Sequence, residues 1–172
     1  MLHILIDKGI ERGIVMRILI FSDSHADISL CSALIEKIGA DIVLHAGDHA
    51  RDAEKLLEKF PDLDIRFVCG NCDFIDTPTE LNFCIENKNI FLTHGHKFNV
   101  KHDYEYKKLH YKALEIGADL AVFGHTHDPY NCDYGNIILL NPGSIKYTRT
   151  FGIAEIENNK LRADICDANL WL

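Results

Sequence analysis

No stretch of the 172 residues approaches the roughly 18 consecutive apolar positions of a membrane-crossing helix, because charge or glycine cuts the longest candidates. A membrane-spanning protein is not expected. Proline is scarce, at four residues, and there is no internal repeat, low-complexity tract or linker that would divide the chain. At this length one globular domain is expected, with 47% hydrophobic residues enough for a real core without disulfide or metal staples. Positive charge is also short: 18 Lys and Arg stand against 26 Asp and Glu, a formal net charge of -8. That balance argues against a surface that holds nucleic acid through phosphate contacts, so nucleic acid is not expected as a bound partner. It leaves room for a small phosphate-ester substrate met by cations. Residues 1–15 lack the apolar core and the small-residue cleavage site of a signal peptide.

Met16 stands directly before Arg17-Ile-Leu-Ile-Phe21, the first run that reads as a buried strand. Residues 1–15 are therefore read as an N-terminal extension and residues 16–172 as the single domain, the alternative being a short edge strand at residues 2–6. The six cysteines, in a chain long enough to fold without cross-links, fit a reduced cytoplasm better than a disulfide framework. Cys69 and Cys72 form one C-x-x-C with no second pair to complete a zinc site. Cys31, Cys84 and Cys166 fall on apolar periods and are expected in the core.

Continuous apolar runs alternate with helical periods, which predicts an α/β fold. Strands are expected at 17–22, 41–45 and 64–69, and helices at 27–38 and 51–60. After Pro78 the runs shorten to 80–86 and 89–93, a helix at 103–116, and then 119–123, 129–134, 136–140, 151–156 and 160–166. Hairpin turns are expected at Asn87-Lys88, Tyr134-Gly135 and Asn158-Asn159. The helix at 103–116 mixes lysines and tyrosines, but Glu105 and Glu115 interrupt the basic stripe, so it reads as a solvated amphipathic helix.

The residues that carry chemistry sit just past the strands. Ser22 leads into Asp23-Ser-His25, Ala46 into Gly47-Asp48, and Cys69 into Gly70-Asn71-Cys72-Asp73; Thr93 leads into His94-Gly-His96, and Phe123 into Gly124-His125-Thr-His127. In open α/β sheets ligands gather outside the carboxyl ends of strands, so five such ends can converge on one site. Each block alone has an ordinary explanation, such as a helix cap, a turn glycine or a satisfied histidine. Jointly those explanations do not account for seven ligand-type residues placed after strands. Imidazole mixed with carboxylate and amide oxygen, without obligatory thiolate, suits manganese, iron, zinc, nickel or cobalt. Seven ligands exceed the need of one ion, and two ions sharing one carboxylate would use them well.

In this order the blocks D-x-H, G-D, G-N-[HDC], H and G-H-x-H resemble the signature of the calcineurin-like metallophosphoesterases, over residues 16–160. Asn141-Pro142-Gly143-Ser144 resembles the tail motif of the small YfcE-like phosphodiesterase branch. The resemblance implies a two-sheet β-sandwich flanked by helices, the αββα arrangement. It also implies two divalent ions, manganese or nickel first, with cobalt, iron and zinc as further candidates. Carried over position by position, Asp23, His25 and His127 would bind the first ion and Asn71, His94 and His125 the second, with Asp48 bridging them. Asp48, Asn71 and His94 would act in catalysis through the metals, and the reaction would be attack of metal-activated water on phosphorus, in line with the leaving oxygen.

Many family members carry His where this chain has Cys72, and a thiol is a poor acid for a leaving group. Diester hydrolysis is therefore expected ahead of monoester hydrolysis, with His96 a candidate for the missing proton donor. Asp73 is read as a hydrogen-bond partner behind the ligands, and Arg149 departs from the branch's usual Pro-Arg. His45 and His49 are not expected to be ligands. The alternatives are a phosphomonoesterase of the same fold and a non-catalytic metal-binding scaffold resembling vacuolar sorting protein 29. The sequence does not decide the oligomeric state, a homodimer included.

Overall fold

The computed structural model describes residues 15–172, so the expectation about residues 1–15 falls, but for Val15, outside the described residues. Two five-stranded sheets face each other. The first has the order β10-β9-β1-β2-β3, built from β1 (Met16–Phe21), β2 (Ile42–His45), β3 (Asp64–Phe67), β9 (Thr150–Glu157) and β10 (Lys160–Asp167). The second runs β4-β5-β6-β8-β7, from β4 (Glu80–Ile85), β5 (Lys88–Thr93), β6 (Leu120–Val122), β7 (Tyr130–Asp133) and β8 (Ile138–Asn141). β1, β2 and β3 are parallel, with α1 (Ser29–Ile38) and α2 (Ala50–Lys59) as crossovers. β5, β6 and β8 are parallel too, with α3 (Lys107–Glu115) between β5 and β6.

Strand alternation sorts the side chains into three cores. Ile18 and Ile20 of β1 and Ile42 and Leu44 of β2 meet Ile90, Leu92, Leu120, Val122 and Leu140 of the opposite sheet. Leu19, Phe21 and Val43 point the other way, onto Cys31, Leu34, Ile35 and Leu56 of α1 and α2. Phe91, Ala121 and Leu139 pack likewise against Leu109 and Ala113 of α3. The central strands are thus buried on both faces, which is why their sequences are continuously apolar rather than alternating. The layers are helix, sheet, sheet and helix, the αββα arrangement.

Several expectations need correcting. The helix at 103–116 is two pieces: a 3-10 turn at Tyr104–Tyr106, then α3. Glu105 and Tyr106 take left-handed φ of 62° and 54°, which no continuous α-helix admits. The β4–β5 turn is made by Glu86 and Asn87, both at positive φ, one residue earlier than expected; Asn158 and Asn159 turn β9 into β10 as expected. Cys84 is exposed, not core, and Cys166 is half-buried at the margin of the core that Leu19 and Phe21 form with α1 and α2. β4 is an edge strand whose outward face has no helix over it, so the apolar period there marks only the inward side. All six cysteines are free.

Candidate metal centre

The parallel strands of both sheets release their chains at one end of the sandwich, and hydrogen bonds within each sheet's exit loops and one bond between the sheets knit those exits together. Asp23 N donates to Gly47 O (3.0 Å), Gly124 N to His94 O (3.2 Å) and His125 N to Asp23 Oδ2 (3.2 Å). Two three-residue groups result. Asp23, His25 and His127 form one and Asp48, His94 and His125 the other, and in each the three donor atoms lie within 4.8 Å of one another. The bond from His125 N to Asp23 makes them neighbours, since the backbone of one group holds the carboxylate of the other.

The donor atoms are aimed and unspent. Ser22 Oγ and His125 N occupy Asp23 Oδ2, while Asp23 Oδ1 and His25 Nε2 are buried with no hydrogen-bond partner among the described residues. His127 Nε2 stands 3.0 Å from Asp23 Oδ1 without hydrogen-bond alignment. In the second group His94 Nδ1 lies 2.7 Å from Ala46 O and must donate to it. That fixes the tautomer of the neutral ring and turns its Nε2 lone pair toward Asp48 Oδ1 (3.3 Å) and His125 Nδ1 (3.2 Å). A carboxylate oxygen and imidazole lone pairs converging this closely need a cation or a proton between them. A histidine oriented by a backbone carbonyl at its far nitrogen is the usual support of a metal ligand. The residues fit a divalent cation in each group.

Protonation follows the same geometry. Burial opposes charge on His94, but its bond to Asp48 and the charge of Asp23 outweigh burial and raise its pKa. Burial also opposes ionisation of Asp48, yet His94 and the Cys72 N–H hold its carboxyl below the usual range. Burial, His94 and Lys101 push His125 down to about 4. Burial lowers His25 despite Asp23 beside it. Two of the candidate histidine ligands are therefore shifted toward the neutral, ligating form.

Backbone strain concentrates at the same positions. Asp23, His25, Asp48, His125 and His127 all have φ between 46° and 70°. A non-glycine residue held there costs about 1–3 kcal/mol and persists only where its surroundings impose it. Two glycines make the close packing possible. A Cβ on Gly124 would collide with Ser22 Oγ and sit 2.8 Å from Asp23 Oδ2; one on Gly70 would collide with the Asp48 carboxylate.

Other predicted residues fall around the two groups. Asn71 is exposed, its amide 3.3 Å from Cys72 Sγ. Cys72 is also exposed, its N–H bound to Asp48 Oδ1 at 3.0 Å. His96 is half-buried, its ring 5.5 Å from that of His94, and burial lowers its pKa. Asp73 is a support, accepting from Ala50 N and Gly70 N at 2.8 Å each. His45 is buried, 3.0 Å from Ser24 Oγ. His49 lies nearer the centre than a loop histidine need be, with its ring 5.0 Å from that of His25.

The roles of three supports were not legible in the sequence. Tyr147 lays its ring over His127 at 5.4 Å and against His25 at 5.0 Å. Buried Asp52 holds the loop after β1 through Ser24 Oγ (2.7 Å) and Ala26 N (2.8 Å). The Asn141 motif is a clasp: Asn141 Nδ2 donates to Gly124 O and Thr126 Oγ1, and Ser144 Oγ to Asp23 O. Only the last carried a sequence signal, and that signal did not disclose its role. Arg149 turns away, to Asn169 Oδ1 at 2.6 Å.

A family model described as the calcineurin-like phosphoesterase superfamily domain matches residues 16–159. The chain is 32% identical over 153 residues to YsnB of Bacillus subtilis, described as a probable metallophosphoesterase, covering 84% of this chain and 86% of that protein. It is 28% identical over 156 residues to the phosphodiesterase YfcE of Escherichia coli, covering 76% and 80%. A crystal structure from Streptococcus pneumoniae, described as a predicted phosphoesterase, superposes with a TM-score of 0.76 at 30% identity over 91% of each chain.

Proposed function

The chain belongs to the calcineurin-like phosphoesterase superfamily, and from that premise we propose that it is a dinuclear metal-dependent phosphodiesterase acting on a small phosphate ester. The observation that carries this reading is the pair of abutting donor groups, Asp23-His25-His127 and Asp48-His94-His125, each with donor atoms convergent within 4.8 Å. Bound divalent ions, manganese or nickel foremost, would lower the pKa of water and neutralise phosphoryl oxygens.

The chain's own residues supply the rest. The carbonyl of Ala46 keeps the proton of His94 on Nδ1, leaving Nε2 free to ligate. Asp48 belongs to the second group and its charge also reaches His25 of the first, which makes it the candidate bridge, with Cys72 N–H orienting its Oδ1. Asn71 is the candidate seventh ligand. The Asn141 and Ser144 clasp holds the loops carrying His125 and Asp23, so the two groups keep their separation as substrate enters.

Preference for diesters rests on Cys72. Burial and the Asp48 carboxylate raise its thiol pKa, so it is a weak acid for an alkoxide leaving group, and His96 is lowered and neutral at pH 7. Ester bonds whose leaving group departs as a stabilised anion are favoured under those conditions. Among the described residues no helix is long and apolar enough to cross a membrane, in keeping with the cytoplasmic location we propose from the free cysteines.

The deciding experiment is a screen of purified protein against manganese, nickel, cobalt, magnesium and zinc with aryl diesters, aryl monoesters and cyclic nucleotides. Diester turnover above monoester turnover with two bound metals is expected. Faster monoester hydrolysis would make the protein a phosphomonoesterase, and two bound metals without turnover of any ester would make it a scaffold.

A further inference from the structure

Next to Asp48 the surface is hollowed into a cavity of about 210 Å3, lined by His49, Arg51, Cys72, Asp73, Phe74 and Ile75. It opens directly beside the metal centre, since Cys72 donates its N–H to Asp48 and His49 packs its ring against that of His25. Its one buffered charge is Asp73, whose two carboxylate oxygens are taken by Ala50 N and Gly70 N. Its one cation is Arg51, exposed in the first turn of α2. Among the described residues Arg51 has no carboxylate partner, in a chain whose acids outnumber its bases by 26 to 18. Phe74, 94% exposed, lines the same cavity.

A lone exposed phenylalanine carries no message. A bare ring and an unpaired guanidinium lining one small cavity beside a phosphoesterase centre are complementary to a flat group that carries an anion. Guanidinium offers forked donors that match phosphate, and a phenyl face offers a stacking platform for a planar ring. We propose that this cavity is a specificity subsite for a nucleotide-like half of the diester, with Arg51 pairing a second, non-scissile phosphate and Phe74 stacking on the ring. This assignment rests on the diesterase reading and narrows it to substrates bearing two phosphates, only one of which reacts. Size agrees with the assignment, since about 210 Å3 is of the scale of one base together with one phosphate group. The acidic remainder of the chain would repel a long polyanion.

The test compares the 5′-phosphorylated diadenylate pApA with ApA, which lacks only the terminal phosphate, using the metal-loaded full-length protein. The expected kcat/KM ratio of pApA to ApA is about tenfold or more, the scale of one charge-assisted phosphate contact. Arg51→Gln should collapse that ratio toward one and Arg51→Lys should restore part of it. Phe74→Ala should raise KM for pApA several-fold with little change in kcat. A second readout needs no metal. Calorimetric titration of EDTA-treated protein should give tighter binding of AMP than of adenosine, and Arg51→Gln should abolish that preference. If no ester is turned over yet the AMP preference depends on Arg51, the subsite stands and the diesterase reading falls. If Arg51→Gln leaves the substrate ratio and the AMP preference intact, or lowers pApA and ApA equally, the subsite assignment is overturned.

Discussion

Asp48→Asn isolates the charge of the candidate bridge while keeping its shape. Asp48 Oδ1 accepts from Cys72 N at 3.0 Å and faces His94 Nε2 at 3.3 Å, and an asparagine oxygen can keep the first contact. The fold should therefore persist, which melting in EDTA would verify. A unit charge about 4 Å from a cation, at the effective dielectric of about 20 suited to protein sites, contributes about 4 kcal/mol. Losing it corresponds to about a thousandfold in metal affinity, more where the cation is divalent. Metal content measured by plasma mass spectrometry after dialysis at micromolar free metal should fall from two ions to one or none. Turnover of bis(4-nitrophenyl) phosphate should fall at least a hundredfold. A metal-free corollary concerns His94, whose upward shift stems from Asp48 and Asp23 acting against burial. Without the Asp48 charge burial gains ground, so the imidazole signals of His94 in the EDTA-treated variant should titrate at lower pH than in the parent protein. Two tightly held metals and near-parental turnover in Asp48→Asn would refute the dinuclear assignment.

Cys72→His should raise monoester relative to aryl diester hydrolysis, by up to ~10²-fold if the imidazole reaches the leaving oxygen; an unchanged ratio with metal content intact would sink the account of diester preference. Gly124→Ala pushes a methyl group into Ser22 Oγ and Asp23 Oδ2, so urea denaturation should show a loss of about 1–3 kcal/mol together with weaker metal binding. His45 is fully buried and its pKa is lowered by burial to about 4 from 6.5. Between those values the unfolded chain binds a proton that the folded one refuses, so stability rises with pH through that window and is lost as pH falls from 6.5 to 4, by about 3 kcal/mol in all. His45→Gln, which keeps a polar atom toward Ser24, should make the stability profile between pH 4 and 6.5 less steep without flattening it, because His125, His25 and His96 are lowered as well, and an unaltered slope would show that His45 does not contribute.

The strands were legible because each central one is buried twice over, on the opposite sheet and on a helix, and such strands read as unbroken apolar runs. Ile18 and Leu19 point to different cores, yet both must be apolar. The same logic explains where reading failed. β4 is an edge strand with one inward face, marked by Leu81, Phe83 and Ile85, so Cys84 joins the apolar run Phe83-Cys84-Ile85 and yet falls on the outward face, in water. Tyr106 and Glu105 break the helix at 103–116 by adopting positive φ, a conformation imposed by tertiary contacts such as the packing of the Tyr106 ring on Phe123 at 4.7 Å, and no propensity encodes it.

The two convergent donor groups were legible for a different reason. Metal ligation demands particular side-chain types, and the sheet topology demands that they follow strand ends, so chemistry and position coincide in the sequence. Supports face no such demand: Asp52, Tyr147 and Asn141 act through an oxygen, a ring face and an amide that many residue types supply, and their partners lie 28, 20 and 17 positions away. The strain is equally silent, since nothing in D-x-H or G-H-x-H states that Asp23, His25, His125 and His127 all take left-handed backbone angles. Yet the strain explains the composition of the loops. Asp and His tolerate that region better than most residues, and the clasp from Asn141 and Ser144 supplies the restraint that keeps them there. Residue type and backbone conformation are thus one constraint seen twice, and the supports that looked incidental in the sequence are what allow the donor atoms to stay convergent instead of relaxing toward ordinary turns.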